Sequence, residues 1–329
     1  MKIPHIIGAD ISKKTIDLAS HQLKTSLKID NNTTGFKDLI NWIIKQSIDV
    51  SELMIVMEHT GLYSYQLEQF LHQHKILFTK VPGLAIKRSM GLVRGKSDKQ
   101  DAIRIAQYGF EKAASLVADK AGSSVLQRLQ MLYSTRQRLV KNRASLIDAV
   151  KEYQNAYKLK ATDMVIASQL RTIKFLDKEI ENLNEQMEII IKSDKEINHN
   201  YDLLQSITGV GKVVSLAIII KTVNFSRFTN PRKFACYCGV APFENTSGIS
   251  IRGKTRVSQL ADKKIKTLLD LASKSAIQHD KELHNYYENR TANGKSKMST
   301  INVIRNKLLY RMFAVIKRQT PYEPLRKIA

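Results

Sequence analysis

Along the first ~110 residues the apolar positions switch between a period of two and a period near 3.6. Ile6-Ile7-Gly8-Ala9-Asp10-Ile11 is a short apolar run with a carboxylate at its end. Thr15-Ile16-Asp17-Leu18-Ala19 alternates, Ser26-Leu27-Lys28-Ile29 alternates again, and Asp30-Asn31-Asn32 supplies turn chemistry. This pattern predicts a three-strand meander. Phe36, Leu39, Ile40, Ile43 and Ile44 recur at helical spacing. Leu53-Met54-Ile55-Val56-Met57 is continuous, as in a strand buried on both faces. A helix is expected over 62–72 and a strand over 76–81 that Pro82-Gly83 ends. A further helix should hold Ala102, Ile103, Ile105, Ala106 and Tyr108.

The pattern changes between 124 and 198. Proline is absent there, and no glycine occurs between Gly122 and Gly209. Leu176, Ile180, Leu183, Met187 and Ile190 follow the a/d steps of a coiled coil, and Leu129, Leu132, Arg136, Leu139, Arg143 and Leu146 form a less pure stripe. Two long helices in an antiparallel hairpin are expected, with Lys and Arg on the outer faces. Such a hairpin can be a structural spacer, a dimerisation element or an arm that grips nucleic acid. From about 200 a compact, mostly helical and basic region begins, with a turn-rich segment at 239–254. The expected domains are therefore 1–120 (α/β), 121–200 (coiled-coil helical segment) and 201–329 (mostly α).

Charge narrows the class of partner. The 329 residues include 53 Lys or Arg against 30 Asp or Glu, a net charge of +23. In a chain that is 43% hydrophobic, and so able to build cores, that charge points to a polyanion, nucleic acid above all. Ribosome-associated proteins are basic too, so charge alone establishes no activity. No run approaches the roughly 18 apolar residues of a membrane span, no basic amphipathic anchor stands out, and Met1-Lys2-Ile3-Pro4 does not begin a secretory signal. No membrane partner is expected. Cys236 and Cys238 are too close to pair with each other and read as small core residues. A reducing, cytoplasmic setting fits them.

Four acids stand at positions with chemical meaning. Asp10 ends the first strand, Glu58 closes the buried strand ahead of His59-Thr60-Gly61, and Asp98 and Asp101 share one face of a helix's first turn. Each alone has a structural explanation, since an acid at a helix start caps amides and favours the dipole. Together they have the layout of a ribonuclease H-like fold, in which the first and fourth strands are neighbours. Hard oxygen ligands so placed bind Mg2+, and two ions about 4 Å apart can clamp a phosphodiester. A bound metal would also reverse the acids' local sign toward DNA. An actin-like or sugar-kinase ATPase shares the sheet, but it wants glycine-rich phosphate loops, and here the first turn is Ser12-Lys13-Lys14.

Ile207-Thr208-Gly209-Val210-Gly211-Lys212, followed by an apolar run, matches a helix-hairpin-helix, with Ser215 as the small residue for close packing. Gly209, Gly211 and Lys212 would present amides and charge to a DNA phosphate; a plain helix-helix turn is the other reading. In Gly239-Val240-Ala241-Pro242-Phe243-Glu244-Asn245-Thr246-Ser247-Gly248, the Ser-Gly pair is ordinary turn chemistry unless Ser247 is a nucleophile. Arg252, Lys254 and Arg256 follow closely and could hold a phosphate.

These residues resemble the DEDD transposases of bacterial insertion sequences, bridge-RNA-guided recombinases, over nearly the whole chain. The likeness rests on Gly8-Ala9-Asp10-Ile11-Ser12-Lys13, Glu58-His59-Thr60-Gly61-Leu62-Tyr63, Lys96-Ser97-Asp98-Lys99-Gln100-Asp101-Ala102, Ile207-Thr208-Gly209-Val210-Gly211, and Gly239-Val240-Ala241-Pro242 leading to Ser247-Gly248. Ser97 stands where relatives often carry threonine. The resemblance implies that Asp10, Glu58, Asp98 and Asp101 form the Mg2+-binding tetrad of a RuvC-like domain. It implies that Ser247 is the nucleophile of a C-terminal transposase domain and forms a 5′-phosphoserine link, although Ser250 lies close by. It further implies donor and target DNA, a structured guide (bridge) RNA, and a dimer or tetramer with composite sites. One rival is a RuvC-like junction-resolving nuclease that uses the metal site alone. The other is a non-enzymatic basic scaffold that binds nucleic acid.

Overall fold

The structure, a computed structural model, describes residues 5–59, 61–90, 97–119, 123–247, 251–257 and 261–324; the side chains of 244–247 and 251–256 lie outside the described part. The chain divides into two compact units, Met1–Ala121 and Gly122–Ala329.

The first unit is α/β. Its strands are β1 (His5–Ile11), β2 (Thr15–Ser20), β3 (Ser26–Asp30), β4 (Leu53–Glu58) and β5 (Leu77–Val81), joined in one sheet of order β3-β2-β1-β4-β5. The expected meander is there: β1–β2 and β2–β3 are antiparallel, while β4 lies parallel to β1, and β5 parallel to β4. Helices α1 (Thr33–Lys45), α2 (Tyr65–Gln73), α3 (Gly83–Ser89) and α4 (Asp98–Lys112) complete the unit.

Strand alternation sorts the apolar residues into two cores. Ile7, Ala9, Ile11, Ile55 and Met57 join Phe36, Leu39, Leu67 and Leu71 of α1 and α2. Ile6, Met54, Val56 and Val81 join Ile86 of α3 and Ile105 of α4. Burial on both faces explains why β1 and β4 read as near-continuous apolar runs. Ile44, in the helical stripe expected for α1, is 66% exposed and lies outside that core.

Helix α4 rests on β1 through small residues. It buries Ala102, Ile105, Ala106 and Gly109, one face at helical spacing. A Cβ placed on Gly8 would stand 2.3 Å from the Ala102 carbonyl oxygen and 2.3 Å from the Ala106 nitrogen. A Cβ on Gly109 would stand 2.7 Å from Val56 Cγ2 and 2.8 Å from Ile6 Cγ2. The helix therefore runs opposite to β1, with its first turn over the strand's carboxyl end.

The second unit is mostly helical. Helices α5 (Ser124–Tyr157) and α6 (Met164–Ser193) pack on each other as a long hairpin. The two arginines of the α5 stripe face α6, as their place in it implies: Arg136 Nε donates to Asn184 Oδ1 at 2.6 Å, and Arg143 pairs with Asp177. Leu176 and Met187 are buried, whereas Ile180, Leu183 and Ile190 are only half-buried. Beyond the hairpin follow α7 (Lys195–Gln205), α8 (Lys212–Thr222), α9 (Pro231–Tyr237), α10 (Lys263–His279), α11 (Lys281–Ala292) and α12 (Lys297–Arg318). Helix α8 buries nearly every side chain from Val214 to Ile220, so it is the central helix of the unit. Leu126, Leu129, Met187 and Ile191 at the hairpin's base share its core. The turn-rich segment forms a two-stranded antiparallel ribbon, β6 (Pro242–Ser247) with β7 (Ile251–Val257). Among the described residues no helix is long and apolar enough to cross a membrane.

Gly8→Ala sets a methyl against backbone atoms of α4 that have no rotamer to change, so it should destabilise the first unit by about 1–3 kcal/mol, the usual cost of overpacking. The midpoint of denaturant unfolding measures it.

Candidate functional site

Three features bring the predicted acids together. Alternation puts Asp10 on the same face of β1 as Ile6 and Gly8, and Glu58 on the same face of β4 as Met54 and Val56, which is the face α4 covers. The parallel register Ala9↔Met57 sets Asp10 level with Glu58. The descent of α4 onto Gly8 then carries Asp98 and Asp101, both in its first turn, to the same edge. That turn is capped by Ser97, whose hydroxyl accepts from the Gln100 amide at 3.3 Å.

The crowding has an electrostatic consequence. Partial burial and the charges of Asp101, Asp98, Glu58 and Asp17 push the Asp10 carboxyl up from 3.8 to about 6. Asp17 was not among the predicted residues. It lies opposite Asp10 in the β1–β2 register, is 8% exposed, and pairs with Lys28 at 3.5 Å. Arg104 was missed as well; its guanidinium holds Asp101 at 2.7 Å, an i, i+3 pairing the sequence does display. Asn31 Nδ2 donates to the carbonyls of Ser12 (2.9 Å) and Tyr63 (3.0 Å), fastening the segment after Glu58 to the turn after Asp10.

Among the described residues no three His, Cys, Asp or Glu side chains stand close enough together to enclose a metal ion. The donor set still fits a hard divalent cation. It consists of carboxylate oxygens, and Asp10, raised first by burial and then by its acidic neighbours, is the kind of group whose charged form such a cation would favour.

The glycine hairpin and the serine belong to the second unit. Gly209 is left-handed (φ +89°), and a Cβ there would stand 2.6 Å from the Ala272 carbonyl oxygen, so this glycine serves the contact with α10. Gly211 caps α8 with open space around it. The Lys212 ammonium is ion-paired with Glu188 of α6. Ser215 is fully buried, in keeping with close helix packing.

Ser247 is the last residue of β6, and its backbone pairs with Ile251. Arg252 pairs with Thr246 and Arg256 with Phe243; Lys254 lies where the register shifts. The side chains of Ser247, Arg252, Lys254 and Arg256, and the whole of Ser250, lie outside the described residues. The ribbon's base is better defined. Gly239 (φ +67°) ends α9, Val240 and Ala241 are fully buried, and the Val240 carbonyl accepts from both Asn302 and Asn306 of α12 at 2.8 Å. Nothing in the local pattern announces these asparagines.

Comparison with known proteins names the class for the α/β unit with acids at one sheet edge and for the helical unit with its ribbon after Gly-Val-Ala-Pro: a transposase, an enzyme of DNA recombination. A family model described as Transposase IS116/IS110/IS902 family matches residues 201–288, and the DEDD model of the IS110 transposases, described as Transposase, matches residues 7–157. The chain belongs to this transposase family. It is 28% identical to the pilin gene-inverting protein of Moraxella bovis over 96% of this chain and 97% of that protein, and equally so to its Moraxella lacunata counterpart. It is 24% identical to the transposase for insertion sequence element IS1111A of Coxiella burnetii over 56% of each.

Two outcomes test this geometry. Asp10 should titrate near pH 6 in carboxyl-resolved NMR, and Asp101→Asn should bring it back toward the ordinary range. The folded chain keeps the Asp10 proton where the unfolded chain has released it, so stability falls as pH rises from about 4 to about 6 and stays reduced above. In cation-free buffer Asp10→Asn should therefore raise the unfolding midpoint at neutral pH, with little effect near pH 3. At the ribbon's base, Asn302→Ala or Asn306→Ala alone should cost about 1 kcal/mol, because the other amide still serves the carbonyl. The double variant should cost more than the sum, because it leaves a buried acceptor unpaired at about 1–3 kcal/mol. Urea unfolding of the four proteins measures the difference.

Proposed function

We propose that this enzyme recombines DNA through Ser247, with Asp10, Glu58, Asp98 and Asp101 as the ligands of a divalent cation, Mg2+. On this reading the first unit is ribonuclease H-like. The strand order β3-β2-β1-β4-β5, with acids at the ends of β1 and β4, supports that assignment. The observation that carries the metal reading is the placing of Asp10 and Glu58 at the ends of adjacent parallel strands, with Asp98 and Asp101 in the first turn of the helix that covers them. When bound, the cation supplies positive charge to the oxygens of a phosphodiester. The carboxylates' own part is to orient that charge, and Asp10, whose carboxyl is raised to about 6, is mostly ionised only well above pH 6.

In the serine step the Ser247 hydroxyl oxygen bonds to a DNA phosphorus as the P–O3′ bond breaks. The departing 3′ oxygen ends protonated, and the 5′ phosphate stays on the serine. A 3′-hydroxyl from another DNA end then attacks this phosphoserine, forming a new P–O3′ bond and returning the proton to Ser247. The number of phosphoester bonds is unchanged, so strands are exchanged without an outside energy source. The position of Ser247 at the end of β6 and the match of residues 201–288 support its role.

The net charge of +23 supports donor and target DNA as partners, with a structured guide RNA choosing the sites by base pairing. We assign the hairpin α5–α6 to spacing and homo-oligomer assembly, and its exposed Phe175 (62%) and Ile189 (59%) are suited to a partner helix. The domains are then 1–120, 121–200 and 201–329, and Gly209, Gly211, Lys212, Arg252, Lys254 and Arg256 serve the nucleic acid. Membership of the transposase family removes the non-enzymatic scaffold from consideration.

Purified protein, Mg2+, RNA transcribed from the flanks of its own element, and labelled DNA carrying donor and target sites should give a protein–DNA adduct on a denaturing gel. Ser247→Ala should abolish the adduct, and Asp10→Asn should reduce it at least about 100-fold. Cleaved ends without any adduct, lost only with Asp10→Asn, would instead favour the metal-only nuclease.

A further inference from the structure

Glu58 ends β4, and in register beside it on β5 stands Val81, two residues before Gly83 opens α3. A Cβ built on Gly83 would stand 1.9 Å from Glu58 Oε1, 2.4 Å from its carboxyl carbon and 3.0 Å from Oε2. The carboxylate thus fills the space that any other residue's side chain would take. Backbone freedom is not what calls for glycine here, because Gly83 has helical geometry and no positive φ. Gly61 is the contrasting case, with φ +73° and nothing near its missing Cβ.

We infer that Gly83 is a positioning residue for Glu58: the bare first position of α3 lets the Glu58 carboxylate stand beside the sheet edge where Asp10, Asp98 and Asp101 gather. This rests on the reading of those four acids as a cation site. The nature of the clash separates Gly83 from Gly8. At Gly8 an added methyl meets the backbone of α4 and the fold must yield. At Gly83 it meets the end of a flexible side chain, so the fold survives while the carboxylate turns away. Gly83→Ala should accordingly leave stability alone and damage the cation site.

The test uses the full-length chain as wild type, Gly83→Ala, Glu58→Gln, the double variant and Asp10→Asn, with Mn2+ affinity by titration calorimetry and thermal unfolding of each. Gly83→Ala should keep the wild-type unfolding midpoint and weaken Mn2+ binding about 10–100-fold, the range seen when a group that orients a ligand is lost. In the Glu58→Gln background the same substitution should weaken binding no further, since it acts only through that carboxylate. The inference is overturned if Gly83→Ala binds Mn2+ like wild type while Glu58→Gln does not. It is equally overturned if Gly83→Ala costs the same in both backgrounds, or if it lowers the unfolding midpoint as Gly8→Ala does. If Glu58→Gln and Asp10→Asn both bind Mn2+ like wild type, the four-acid site itself fails.

Discussion

Burial of Asp10 together with like charge at one sheet edge is what the first unit has to balance. Asp10, Glu58, Asp98 and Asp101 are brought there by strand alternation, a parallel register and a helix start, and Asp17 adds a further charge. What opposes the repulsion is apolar contact at the other end of the same helix. Ala102, Ile105, Ala106 and Gly109 seat α4 on Gly8, Ile6 and Val56, so burial along the helix sustains crowding at its tip. The outer acids are partly neutralised, Asp101 by Arg104 and Asp17 by Lys28. The strain is left on Asp10.

Most of this frame was legible in the sequence, because each element carries its period. A strand buried on both faces must be apolar throughout, and a helix covering a sheet must be apolar at i, i+3 and i+4; β1, β4 and α4 obey these rules. The contacts that hold the site were not legible. A glycine in a strand can mark a bulge or a close backbone approach, and only the three-dimensional seat of α4 tells which Gly8 is. Pro82-Gly83 looks like turn punctuation, and nothing local says that Glu58 will need the room. The β6–β7 ribbon was hidden for a different reason. Pro-Phe-Glu-Asn-Thr-Ser has no apolar alternation from which a strand could be read.

The second unit fixes its ribbon through the backbone. The Val240 carbonyl is gripped by two amides from 62 and 66 residues further along the chain, and Gly239 supplies the left-handed turn that aims the chain out of α9. Hydrogen bonds to a main-chain group restrain where the strand begins without dictating what it carries. Arg136 and Arg143 show the same economy in the hairpin: placed in an apolar stripe, they find Asn184 and Asp177 across the helix pair. A purely apolar seam would grip other apolar seams as readily, whereas paired polar groups favour one alignment of α5 with α6.

The balance of charge also bears on how DNA could approach the acidic edge. The chain as a whole, at +23, attracts phosphates, but four ionised carboxylates at one place repel them locally. Protonating Asp10 relieves only one of those charges, and that relief fades as the pH rises through about 6. On the proposed reading, a divalent cation held by the carboxylates offsets two of those charges and offers a phosphate oxygen a positive centre to approach. If the edge holds a cation and DNA as proposed, the two are thermodynamically linked, each raising the affinity for the other by the same factor. On that reading the acidic edge disfavours a phosphate while it is bare and accepts one once its carboxylates hold the cation.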